Sequence, residues 1–233
     1  MCERQTLVVE EIQGTIQRLC LRIRDRFPDC DLLKVCEGLY EISRETCTTV
    51  QWIGKPNYLL RLIVFPAIAL ALLVVAHSIS MLDIRTDGIN VAELVQMLGS
   101  ALDGLVVIGA GIIFLVTLEN RRKRGRVIRA INRLRCVAHI IDMHQLTKDP
   151  DTIGRISVPT PHSPKRTLNE HEMGRYLDYC TEMLSLVSKT GFLYVQNFHD
   201  PIATEAVNDL EQLVDGLSSK IWQKIMILQR RGN

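Results

Sequence analysis

Twenty-one consecutive residues, Leu62 to Leu82 (LIVFPAIALALLVVAHSISML), carry no charged side chain. At about 1.5 Å of helical rise per residue such a run spans roughly 31 Å, the thickness of a bilayer's hydrocarbon core. A helix of this length buried in a water-soluble protein keeps a polar stripe, and this run has none. Pro66 falls near the start of the run, where a missing N–H costs least. Trp52 and Tyr58 precede it, as aromatics do at a membrane interface.

A second apolar stretch, Met97 to Leu118 (MLGSALDGLVVIGAGIIFLVTL), is 22 residues long and interrupted only by Asp103. Were Asp103 the outer boundary, the remainder to Leu118 would cover only about 21 Å, so Asp103 is expected inside the span or at its edge. The expected fold is all-α: a two-helix transmembrane hairpin with amphipathic cytoplasmic helices before and after it. Residues 1–57 read as a helical hairpin. Residues 58–120 hold the two spans and the loop 83–93. Residues 121–233 form a helical domain interrupted by a loop over 148–168.

Charge placement orients the hairpin. Arg121, Arg122, Lys123, Arg124 and Arg126 follow the second span, and Lys55 and Arg61 precede the first. The loop between them carries one arginine against Asp83, Asp87 and Glu93. Cations flanking spans mark the cytoplasmic face, so both termini are expected inside. The first seventeen residues mix Glu3, Arg4, Glu10 and Glu11 with apolar side chains, which does not read as a cleaved leader. The net charge of +2 and a mean hydropathy of +0.10 fit a short membrane hairpin joined to water-soluble helices.

In the flanking segments Val8, Ile12, Ile16, Leu19 and Ile23 recur at helical spacing up to Phe27-Pro28, and a second helix is expected from Asp31 to Val50. Val127, Ile128, Ile131, Leu134, Ala138 and Ile141 extend the second span as one helix to about Leu146. Thr167 and Glu170 match a capping box. The helix they open presents Met173, Tyr176, Leu177, Cys180, Leu184 and Val187. Asp200-Pro201 supplies an N-cap and a first-turn proline, and the residues from Val207 to Leu228 form a near-heptad seam. GFLYV, from Gly191 to Val195, is the one stretch with strand character. The seven cysteines lack metal-ligand spacing and read as reduced, buried thiols.

No catalytic set, cofactor loop or metal site emerges. The basic run from Arg121 to Arg135 reads as a topology anchor for anionic head groups and as a platform for a polyanion. Arg133 and His139 have the spacing used by HEPN-type ribonucleases. His77 and Asp103 fall at similar depth in an antiparallel hairpin, where ionisable groups face protein or water. The second span also holds Gly99, Ser100, Ala101, Gly104, Gly109, Ala110 and Gly111, with Gly104 and Gly111 on one face for close helix approach. Two spans cannot enclose a channel, so any pore requires a homo-oligomer.

The two-span architecture and the stretch RVIRAINRLRCVAHIIDMHQLTKDP make Leu62 to Pro150 resemble the small transmembrane effectors of bacterial anti-phage systems, most closely the transmembrane effector of a retron. The resemblance implies an inner-membrane protein held silent by a reverse transcriptase with its RNA–DNA hybrid. Once released, it would damage the membrane and cause abortive infection. The alternatives are a membrane-anchored HEPN-like ribonuclease or nucleotide-sensing effector, and a scaffold subunit without activity.

Overall fold

In the computed structural model the described residues include the helices α1 (Val9–Arg26), α2 (Asp31–Gly54), α3 (Val91–Leu146), α4 (Glu170–Phe192) and α5 (Pro201–Arg231). The structure describes residues 6–55, 91–148 and 168–231, with single positions at 62, 66, 68–70, 73, 150 and 162. Between 91 and 116 it describes side chains only at 95, 99, 102, 104, 106, 108–111, 113 and 114. No strand occurs among the described residues, so the fold is all-α.

The chain divides into two units, one made of Met1–Gly54 with Arg124–Asn233, the other of Lys55–Lys123. In the first, apolar positions spaced three and four apart give each helix one apolar face, and burying these faces together drives assembly. α1 packs on α2, α4 packs on α5, and α1 and α2 also touch α4. Ile131, Leu134, Ala138 and Ile141 of α3 join Ile16, Leu19, Leu39, Leu177, Leu184 and Leu210 in a single apolar core. The seam from Val207 to Leu228 is buried along its whole length. At Gly191 helices approach closely: a Cβ there would stand 2.7 Å from Leu210 Cδ2, with Ile131 and Leu134 just behind.

Polar groups inside this core are satisfied. Thr46 pairs its hydroxyl with that of Tyr194 at 2.9 Å, and Gln145 Oε1 accepts from Lys224 Nζ at 2.6 Å. Among the described residues no buried side-chain N or O atom lacks a partner. A buried unpaired group would cost about 1–3 kcal/mol, so this satisfaction matters as much as the apolar contacts.

Several local expectations shift. α2 runs to Gly54, one turn past Val50. The cap of α4 is Asn169, whose side chain accepts from Glu172 N at 2.8 Å while Glu172 Oε2 accepts from Asn169 N at 2.9 Å. The expected Thr167 lies outside the described residues, and Glu170 is the first helical residue, two positions before the Glu172 that reaches back as the box partner. Asn169 wins because an N-cap acceptor must face the N–H three residues on, and Glu172 supplies the matching carboxylate there. GFLYV ends α4 with Gly191 and Phe192 and continues as a turn, and burial of Leu193, Tyr194 and Val195 accounts for its apolar composition. Cys20, Cys36 and Cys180 are buried, with the sulfurs of Cys20 and Cys36 2.8 Å apart. Cys136 is exposed, contrary to the expectation of buried thiols, because it falls on the outer face of α3. The loop over 148–168 lies mostly outside the described residues.

Two substitutions test this arrangement. Asn169→Ala should lower unfolding stability by about 1 kcal/mol through loss of the α4 cap. Leu217→Asp should cost several kcal/mol by placing a carboxylate in the buried seam. Denaturant unfolding of the purified protein measures both. An unchanged midpoint for Leu217→Asp would show that the seam is not a core.

Candidate functional site

Two regions of α3 hold the residues singled out in the sequence. In its first half, Val95, Leu102, Val106, Ile113 and Phe114 are between 52% and 66% exposed. At about 100° per residue, Val95, Leu102, Val106 and Ile113 share one face, while Gly104 and Gly111 lie on the opposite one. Both glycines are exposed, and a Cβ built on either meets nothing within 4 Å. Gly99 and Gly109 are equally open. Leu62, Leu70 and Leu73 of the first apolar run are also exposed. His77 lies outside the described residues, as does the side chain of Asp103. Among the described residues no helix is long and apolar enough to cross a membrane. Much of Leu62 to Leu82, and many side chains of Met97 to Leu118, fall outside that set.

The basic run is less free than its composition implied. Lys123 is buried, with Nζ donating to the Lys55 carbonyl at 3.0 Å and 2.9 Å from Glu119 Oε1. Arg124 grips Asp200 through two nitrogens of its guanidinium: Nε is 2.9 and 3.0 Å from the two carboxylate oxygens and Nη2 is 2.6 Å from Oδ2. Arg135 pairs with Asp209 at 2.8 Å. Arg121 and Arg122 are exposed. Arg126 is exposed too, yet its guanidinium carbon sits 4.0 Å over the Trp52 ring. Trp52, read as an interfacial aromatic, is half-buried and serves as the cation–π partner of Arg126; Tyr58 lies outside the described residues.

Asp200 has two roles. It is the N-cap of α5, accepting from Ala203 N at 3.0 Å, and Pro201 follows as the first helical residue. Burial pushes its carboxyl upward, but hydrogen bonds from Arg124 and from the N–H groups of Ala203 and Ile202 outweigh this and hold it below the ordinary value.

Arg133 is engaged by Glu45 of α2, and this hydrogen bond holds the Glu45 carboxyl below its usual range. His139, six residues on, is exposed and lies about 120° around the helix from Arg133. The two do not converge within one chain. Among the described residues no cluster of His, Cys, Asp and Glu is arranged to hold a metal.

One arrangement escaped the sequence reading. Arg126, Arg129 and Arg133 line a cleft of about 330 Å³ whose other walls are Glu45 and Thr49 of α2 and Tyr194 of the turn after α4. The spacing of the arginines by three and four is visible in the sequence. That α2 closes over them is not.

Loss of the Arg124–Asp200 pair should register in stability and its pH dependence. A carboxyl held low in the folded chain contributes stability above its ordinary titration range, and that contribution is lost as pH falls through the folded value. Asp200→Asn keeps the capping oxygen but removes the charge, so it should destabilise by about 2 kcal/mol at pH 7. The gap from the unmodified chain should narrow below about pH 4. Thermal unfolding from pH 7 to pH 3 reads both; equal stability across that range would remove the pair from the account.

No family model matches the chain, and neither a curated protein nor a solved structure is significantly similar to it.

Proposed function

We propose that this chain is a bilayer-anchored effector of bacterial antiviral defence. In this reading two helical spans, Leu62 to Leu82 and Met97 to Leu118, hold an all-α cytoplasmic domain at the inner membrane with both termini inside. Clustering of the spans then breaks the permeability barrier. The observation that carries the anchoring is the bare apolar surface on α3. Leaving five large apolar side chains half or more exposed in water forgoes on the order of 5 kcal/mol of burial, a large part of a typical domain's whole stability. Lipid removes that penalty. The positive residues after the second span, with Arg121 and Arg122 exposed, supply the cytoplasmic anchor.

The clustering step draws support from the glycines. Each glycine inside a helix costs about 1 kcal/mol relative to alanine, and among the described residues nothing lies within 4 Å of a Cβ built on Gly104 or Gly111. A second helix from another copy would use that space, since small residues let backbones approach closely in lipid. The resemblance to retron transmembrane effectors adds a silencing partner, a reverse transcriptase with its RNA–DNA hybrid. Its removal on infection would permit clustering and abortive infection. The ribonuclease alternative is less well supported, because Arg133 is held by Glu45 and His139 lies on another face.

A membrane-potential dye in cells expressing the unsilenced chain tests this. Depolarisation should accompany growth arrest, and Gly104→Leu or Gly111→Leu should abolish both while leaving insertion intact, since leucine is favoured in a bilayer. Arrest with an intact potential would refute membrane disruption and favour RNA cleavage. Absence of any arrest under expression would favour an inactive scaffold.

A further inference from the structure

The cleft between α2 and α3 sets three arginines of the basic run against a wall from another helix. Arg126, Arg129 and Arg133 face it along α3, and a single carboxylate, Glu45, faces them. Three guanidinium groups against one carboxylate leave two positive charges in a concave space of about 330 Å³, near the lower end of small-molecule sites. Arg126 is held in place by the Trp52 ring beneath it, at 4.0 Å. Tyr194 on the facing wall is fixed by its hydrogen bond to Thr46. Arg129 has no ion pair among the described residues.

We propose that this cleft binds a phosphate group, carried by a small soluble phosphate compound or by a phospholipid head group. The residual charge matches a phosphate dianion, and guanidinium groups offer paired N–H donors that fit its oxygens. Glu45 occupies Arg133 as an internal stand-in for the ligand, so binding displaces one anion by another with more charge. A polynucleotide is a poorer fit. It needs a track of free cations, whereas Lys123, Arg124 and Arg135 on either side of the cleft are already bound to carboxylates.

The site is separable from the membrane-effector reading, and its test does not depend on depolarisation. Full-length protein carrying Trp222→Phe retains Trp52 as its only tryptophan, which reports on Arg126 directly. In nanodiscs of phosphatidylcholine, inorganic pyrophosphate should change Trp52 emission saturably if the ligand is soluble. In nanodiscs containing phosphatidic acid, the emission should already be shifted without added pyrophosphate if the ligand is a lipid. Arg129→Gln should weaken binding about tenfold or more with an unchanged melting temperature. Glu45→Gln should strengthen it severalfold by removing the internal competitor, a gain that misfolding could not produce. No saturable change in either arm would overturn the proposal, as would weaker binding in Glu45→Gln. Response to single-stranded RNA alone, with steep salt dependence, would overturn it in favour of a nucleic-acid surface.

Discussion

A single helix of 56 residues presents two different kinds of surface, and the rest of the described chain packs against only one of them. From Arg124 onward α3 is an ordinary amphipathic helix, its apolar face buried against α4 and the core. Before that, large apolar side chains occupy one face and Gly104 and Gly111 the opposite one, and both faces are exposed among the described residues. A helix that is apolar all round is stable only inside protein or inside lipid. The anchoring proposal is a consequence of that rule applied to one half of one helix.

The transition between the two regimes is marked by charge. The arginines and lysines after Leu118 separate into three groups by their contacts. Lys123 and Arg124 are consumed in internal contacts, Arg121 and Arg122 stay exposed, and Arg126, Arg129 and Arg133 turn into a cleft. Arg124 does the most for the fold, since its partner Asp200 also starts α5. Truncating either member leaves a charge facing a largely buried position, which costs more than an exposed ion pair contributes. Pairs such as Arg133–Glu45, about half exposed on both sides, are worth little to stability and are correspondingly easy to exchange for another anion.

Periodicity carried most of the helical architecture. The apolar positions of α1, α4 and α5 recur every three or four residues, and those named from the sequence, such as Ile16, Leu184 and Leu217, are buried. α3 reads as continuous through the basic run because its apolar positions keep their phase there. The sequence reading fails where two local signals compete. Thr167 and Asn169 both offer capping oxygens with a glutamate three residues on, and α4 starts from the second pair, Asn169 with Glu172. Trp52 looks interfacial because an aromatic before an apolar run often is, but its neighbour in space, Arg126, is far along the chain on another helix. The same reason hid the cleft. A site whose walls come from α2, α3 and the turn after α4 leaves no contiguous pattern to read.

Spin labels along α3 test the central claim most directly. Nitroxides placed singly at Val106, Ile113 and Arg122 in protein reconstituted into liposomes report whether oxygen, which partitions into lipid, or a water-soluble nickel chelate collides with them more often. If the first half of α3 lies in the bilayer, oxygen dominates at Val106 and Ile113 and the nickel chelate dominates at Arg122. Dominant collision with the nickel chelate at all three positions would place this half of α3 in water and contradict the anchoring.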